Sequence, residues 1–309
     1  MATSAPEVAA AVVDEIDRSG VGYAILHRED DLAAGRDISD VDLVVDRPAR
    51  EVVEPHLDGL RDRGIRLVQH WPYDWSTSTL FFVGPERGDG AQVDLAFDPH
   101  GRGRYGFLPV PLIDGRVRGD RWWRIGDDDL TLYLLRKRRA KGDMTAVAAI
   151  GAAVDDERAP ALDRRVDEIF SRFGAVEARA ALRGTEPGAL HRAALRLQRG
   201  VVTAVRLAGR LVRPTGTIIA VDATVDELAP IAADLGRVLR DVRVVAATEL
   251  PARGGASAWS GSVVLLAGRP RPWLRSLVAQ VGATTDPDER WDSVVGELER
   301  RARRHLRRH

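Results

Sequence analysis

The stretch Arg36-Asp37-Ile38-Ser39-Asp40-Val41-Asp42-Leu43-Val44-Val45-Asp46 decides how the first part of this chain is read. Val41–Val45 is an apolar, β-branched run, which predicts a strand. Side chains alternate faces along a strand with a period of two, so Asp40 and Asp42 point the same way. Two carboxylates on one face repel each other and resist desolvation, and a divalent cation offsets both costs. A second pattern, Gln92-Val93-Asp94-Leu95-Ala96-Phe97-Asp98, predicts another strand that could bring a third carboxylate to the pair. Hard oxygen ligands of this kind suit magnesium or manganese and imply a site acting on phosphate. A strand that merely opens with its polar face in water is the plain alternative. The preceding strand and loop, and the Val-Asp-Leu echo, argue against it.

Working outward, apolar spacing predicts a helix over Pro6–Arg18, ended by Gly20, and a short strand over Gly22–Leu26. A polar loop, His27–Ser39, leads to the acidic strand. Arg47–Arg63 reads as a helix, and Ile65–His70, Thr77–Val83 and Gln92–Phe97 read as strands. From Asp127 the texture becomes helical: Asp127–Lys141, Met144–Val154, Ala159–Phe173 and Gly188–Leu211. The Asp127-Asp128-Asp129 run complements the dipole of its helix N-terminus. Beyond Arg213-Pro214, Thr217–Val221, Val242–Ala246 and Ser262–Ala267 read as strands. Val225–Arg240, Trp273–Val281 and a last stretch from Pro287 read as helices, with a loop over Arg253–Gly261. The expected fold class is α/β, with a mixed-sheet N-terminal domain (1–126), a helical middle region (127–212) and a small parallel α/β domain (213–309).

At 309 residues, a single small core is excluded. Net charge is zero, so bulk electrostatics point neither toward nucleic acid nor away from it. The charge is unevenly placed: residues 1–60 hold 14 acidic and 5 basic side chains, whereas Arg301–His309 is wholly basic in its charged residues. Absence of cysteine excludes disulfides and thiolate zinc sites. No secretory leader pattern opens the chain, and the longest apolar stretch, around Thr145–Val154, is too short for a membrane span. A cytoplasmic protein without membrane contact is expected. Of 46 basic residues only Lys137 and Lys141 are lysines, four apart on one predicted helix. A GC-rich coding bias explains the arginines, and an ammonium meeting phosphate as a point charge is one reason to keep two lysines.

The strand, the loop and the Asp40-Val41-Asp42 strand with a later Val93-Asp94-Leu95 resemble the DNA-polymerase-β-like nucleotidyltransferases. Gly22–Arg28 followed by Gly35–Val45 is similar to bacterial nucleotidyltransferase-like proteins associated with surface-polysaccharide or specialised-metabolite genes. The resemblance covers about residues 5–120. It implies Asp40 and Asp42 as metal ligands, with Asp94 as third ligand and general base for the acceptor hydroxyl. Asp98 competes with Asp94 for that place. The Gly-Ser turn that holds the triphosphate in such proteins is occupied here by His27-Arg28. Arg28 could replace it by pairing with phosphate. With Arg28, the candidate nucleotide-binding set is Ser39, Arg36, Lys137 and Lys141. Arg102 and Arg104 follow Asp94 in a glycine-rich loop and could hold an acceptor or phosphate. Trp71, Trp75, Trp122 and Trp123 are core aromatics or base-stacking platforms.

Arg213–Val221 resembles the approach to the first strand of thymidylate-kinase-like domains. The P-loop that should follow needs glycines and a lysine, and Asp222-Ala223-Thr224-Val225-Asp226-Glu227 has neither. This part is expected to be a degenerate relic serving as scaffold or interface. The leading expectation is a magnesium-dependent nucleotidyltransferase moving a nucleoside monophosphate from an NTP onto a small-molecule acceptor. The alternatives are an inactive nucleotidyltransferase-like binding protein and an enzyme acting on RNA ends through the basic tail, which otherwise reads as a solvated helix end or a disordered terminus.

Overall fold

The computed structural model describes residues 5–72, 76–102, 105–212, 216–248, 263–269 and 278–308. The N-terminal part is built from α1 (Ala5–Arg18), β1 (Tyr23–Ile25), α2 (Glu29–Ala33) and β2 (Val41–Val45). There follow α3 (Ala49–Val53), α4 (Leu57–Asp62), β3 (Arg66–Pro72), β4 (Thr77–Val83) and β5 (Gly90–Ala96). Next come α5 (Pro109–Asp114) and the short strands β6 (Val117–Arg118) and β7 (Trp123–Arg124). One mixed sheet of seven strands results, in the order β3-β4-β5-β2-β1-β7-β6. Its β2–β5 pair is parallel, while β1–β2 and β4–β5 are antiparallel. The loop expected over 27–39 holds the short helix α2, entered through Arg28 in the left-handed region at φ 63°. The single helix expected over 47–63 is interrupted by a 3-10 turn, Glu54–His56, because Pro55 lacks the N–H that an α-helix needs there.

The helical region comprises α6 (Asp127–Lys141), α7 (Met144–Ala152), α8 (Ala159–Ile169), α9 (Arg172–Leu182) and α10 (Ala189–Val212). The helix expected over 159–173 stops at Phe170, which is extended, and Ser171 caps α9 by accepting from the Gly174 amide. Asp127, Asp128 and Asp129 lie in the first turn of α6 and pair with Arg124, Arg158 and Arg165.

The C-terminal part contains β8 (Thr217–Val221), α11 (Val225–Gly236), β9 (Val242–Ala246), β10 (Val263–Ala267), β11 (Ala279–Val281) and α12 (Pro287–Arg307). Its four strands form a parallel sheet, β11-β8-β10-β9. Residues 279–281, expected to end a helix, are instead a strand paired with β8. Residues 253–261 and 273–277 lie outside the described residues. Where a P-loop would stand, Thr224 and Glu227 form a capping box that starts α11, and Glu227 also accepts from Arg290.

The two faces of the seven-stranded sheet are covered differently. Leu43, Val45, Leu80, Phe82, Val93 and Leu95 face α1, α3, α4 and the end of α12. On the other face, Ala24 and Val44 lie under α5, α6, α8 and α9. Further along that same face, Phe81 and Val83 pack with Leu228, Leu235 and Leu298 of the C-terminal part. Asp42, Asp94 and Thr79 lie between these two cores.

The basic tail is the helix end expected as one alternative, partly buried rather than wholly solvated. It is the last part of α12, with Ala302 and Leu306 buried in the first core. Arg303 pairs with Asp58 at 2.6 Å and Arg307 with Glu54 at 2.5 Å, which joins the basic end of the chain to its acidic beginning. At Gly90 a Cβ would overlap both the Phe82 carbonyl and the Val238 side chain, so this close approach of the C-terminal part requires glycine. Gly90→Ala should therefore destabilise the fold by about 1–3 kcal/mol through overpacking. Chemical denaturation would read this as a lowered midpoint, and an unchanged midpoint would contradict the packing.

Candidate metal centre

Register places the acids. In the parallel β2–β5 pair, Asp42 stands opposite Asp94, and in the antiparallel β4–β5 pair Thr79 stands opposite Asp94. Three neighbouring strands thus set Thr79, Asp94 and Asp42 in a row on one face, with Asp40 just before β2. One carboxylate oxygen from each of Asp40, Asp42 and Asp94 lies within 4.8 Å of the others.

The two central carboxylates live in opposite electrostatic environments. Asp42 Oδ2 receives Lys137 Nζ at 2.7 Å and lies 2.9 Å from His27 Nε2, with the Tyr133 hydroxyl donating at 3.3 Å. His27 sits just past β1, and Tyr133 and Lys137 lie one helical turn apart on α6. Burial pushes the Asp42 carboxyl up, but the His27 hydrogen bond and the Lys137 charge outweigh it and hold the group well below the usual carboxylate range. Burial, with the Asp42 charge beside it, raises the Tyr133 hydroxyl well above its ordinary value. Asp94 is pushed up to about 6 by burial first and by the charge of Asp42 next, with Thr79 and Gln92 hydrogen bonds only partly opposing. Gln92 donates to Asp94 Oδ1 at 3.1 Å.

These acids line a cavity of about 280 Å³. Ser76, Thr77 and Thr79 continue its sheet side, and Tyr105, Phe107, Tyr133, Lys137 and Lys141 come from the helical side. Arg240, from the C-terminal part, closes the opposite edge. Its guanidinium lies over the Trp71 ring at 5.5 Å and donates to Gln92 Oε1 at 3.4 Å. A chain of hydrogen bonds therefore runs from Arg240 through Gln92 to Asp94. Tyr105 and Phe107 stack at 5.7 Å, giving the cavity an aromatic side.

The structure brings together Asp40, Asp42, Asp94, Lys137 and Lys141 around this cavity. Lys137 is turned onto Asp42, while the exposed Lys141 is at the rim. Arg28, Arg36 and Ser39 are not among the lining residues. Arg28 and Arg36 both pair with Asp31, at 2.8 and 2.6 Å, because α2 places that carboxylate between them. Ser39 donates to Asp40 Oδ1 at 2.5 Å. Asp98 lines the cavity too, accepting from the His100 amide and lying 3.9 Å from Arg102, but it stands apart from the cluster of three. Arg104 and Trp75 lie outside the described residues. Trp122 is buried with its indole donating to Asp14, and Trp123 carries the guanidinium groups of Arg116 and Arg118, so neither faces the cavity.

Sequence reading did not single out His27, Tyr133, Thr79, Gln92 or Arg240 as site residues. Tyr133 had a signal, its spacing of four from Lys137. Thr79 needed the strand register, and Arg240 needed the packing of a separate sheet.

Three carboxylates with one ammonium between them leave the Asp94 side short of positive charge. Hard oxygens in this arrangement could hold Mg²⁺ or Mn²⁺. The proton balance gives a test. Asp94 titrates near 6 in the folded chain against 3.8 when free, so its folded state binds the extra proton between these values. Its contribution to stability is complete below the lower value and is lost as pH rises through about 6. A cation must compete with that proton. The rise in melting temperature on adding Mg²⁺ or Mn²⁺ should be larger at about pH 7.5 than at about pH 5, and absent in Asp94→Asn. A pH-independent rise would count against Asp94 as a ligand. No known protein family matches the chain, and no curated protein matches it.

Proposed function

We propose that the chain is a metal-dependent nucleotidyltransferase, moving a nucleoside monophosphate from a nucleoside triphosphate to a small-molecule acceptor. The observation that carries this reading is the meeting of Asp40, Asp42 and Asp94 in one cavity whose rim holds Lys141 and Arg240. Asp40, Asp42 and Asp94 would hold Mg²⁺ or Mn²⁺, which when bound neutralises charge on a transferring phosphoryl group.

The chain's own groups have distinct tasks. Asp94, ionised above about pH 6, accepts the proton of the acceptor hydroxyl. The hydroxyl oxygen then bonds to the α-phosphorus as the bond to the leaving pyrophosphate breaks. Lys137 and His27 fix the orientation of Asp42. Since Arg28 is tied to Asp31, the triphosphate is held between the two walls of the cavity, by Lys141 on the helical side and Arg240 on the C-terminal side. A cavity of about 280 Å³ suits a small acceptor better than an RNA end. Two arginines of the basic tail, Arg303 and Arg307, are moreover paired within the chain.

Pyrophosphate release from common triphosphates, with magnesium and a panel of small hydroxyl acceptors, tests the reading. Asp40→Asn removes a ligand whose side chain bonds only to Ser39 among the described residues, and should abolish release without changing the fold. Arg240→Ala should raise KM for the triphosphate about tenfold, the equivalent of about 1.4 kcal/mol, with a smaller change in kcat. Full activity in Asp40→Asn would overturn the proposal.

One observation favours a second reading, an inactive binding protein: Lys137 Nζ on Asp42 is already an internal cation at the acidic site. The two readings part at Lys137→Met. For an enzyme, the wild type is stabilised by magnesium and Lys137→Met loses activity. For a binding protein locked by its lysine, the wild type gains no stability from magnesium and Lys137→Met gains some. In both, the variant should lose stability, up to about 3–5 kcal/mol, because a buried carboxylate loses its partner.

A further inference from the structure

A second cavity, of about 240 Å³, lies away from the acidic one, where β3, α12 and the start of β8 meet. Its polar lining is Gln69 and His70 from β3, Thr217 from β8, and Arg301, Arg304, His305 and Arg308 from the end of the chain; among the described residues no carboxylate lines it. The three arginines and His305 follow spacings of three and four, so α12 presents them on one side. Behind them, His70 is buried, with its Nδ1 3.1 Å from His305 Nδ1 and its Nε2 3.2 Å from Ser78 Oγ.

The charge balance of α12 differs between its sides. Toward α3 and α4, Arg303 has both Asp58 and Glu299, and Arg307 has Glu54. Toward the cavity, Glu297 serves the lining residues Arg301 at 3.0 Å and Arg304 at 4.0 Å, as well as Arg300, outside the lining, at 2.6 Å; among the described residues these three have no other ion pair. One carboxylate shared among three guanidinium groups, two of which line the cavity, leaves positive charge at this junction. Planar guanidinium groups with imidazole and amide donors make a lining suited to a tetrahedral oxyanion.

We propose that this cavity is a binding site for a phosphate group, whether inorganic phosphate or a phosphate monoester. Bound phosphate joins the edge of the seven-stranded sheet to the first strand of the C-terminal sheet, through α12. It therefore stabilises the docking of the C-terminal part, independently of the chemistry at Asp40, Asp42 and Asp94.

The test uses the full chain without divalent cation, titrated with sodium phosphate against sodium chloride at equal ionic strength. Melting temperature and the ³¹P line width are followed together. The wild type should gain melting temperature from phosphate beyond chloride and broaden the phosphate resonance. Arg304→Gln and Arg308→Gln, both at exposed side chains, should each weaken phosphate binding about tenfold. Lys141→Ala with Arg240→Ala, at the acidic cavity, should leave it unchanged. A phosphate monoester such as glycerol phosphate in place of phosphate separates the two sources by the tighter response. The proposal is overturned by a wild type that responds equally to phosphate and chloride, by undiminished binding in both arginine variants, or by loss of binding in the Lys141/Arg240 variant alone.

Discussion

Repulsion between Asp42 and Asp94 is the constraint around which the rest of the site is arranged. Parallel pairing of β2 with β5 puts these two carboxylates directly across from each other, a placement that is unfavourable unless compensated. Asp42 is answered from within the chain, by Lys137 and His27. Among the described residues Asp94 is answered by neutral donors, Thr79 and Gln92, and burial with the Asp42 charge pushes its carboxyl up to about 6. Two neighbouring acids thus differ in proton affinity, the condition under which one can remain a fixed anion while the other exchanges a proton. The same imbalance leaves room for a cation on the Asp94 side.

The cavity exists because one sheet face is shared by two covers. The helical region takes the part near β1 and β2, and the C-terminal α/β part takes the part near β3 and β4. The polar row Thr79-Asp94-Asp42 falls in the seam, since neither apolar cover can take it without burying charge. Each cover contributes cations to the seam, Lys137 and Lys141 from one side and Arg240 from the other. The C-terminal part, with a capping box where a P-loop would be, thereby acts as a wall of the site. Its last helix is also the clasp of the molecule, sharing two cores and tying Arg303 and Arg307 to acids near the other end of the chain.

Local signals carried much of the fold. Val41–Val45, Thr77–Val83, Asp127–Lys141, Thr217–Val221 and Val242–Ala246 have the bounds that periodicity and punctuation indicated. The departures each have a local competitor that periodicity ignores. Pro55 broke a helix, Ser171 restarted one, and Ala279–Val281 became a strand because β8 offered an edge to pair with. Arg28 and Arg36 looked free to meet phosphate, but α2 set Asp31 between them.

By itself the sequence determined which residues could be acidic ligands and that Asp40 and Asp42 share a face, because the two-residue period of a strand is a local property. It also determined that no P-loop follows Val221, because that motif is a matter of residue types. Only the tertiary structure decided that Asp94 stands opposite Asp42, that Lys137 serves a carboxylate, and that Arg240 closes the cavity. Those outcomes depend on strand order and on the packing of two covers against one face. Both are set by contacts between residues far apart in the chain, which no local pattern encodes.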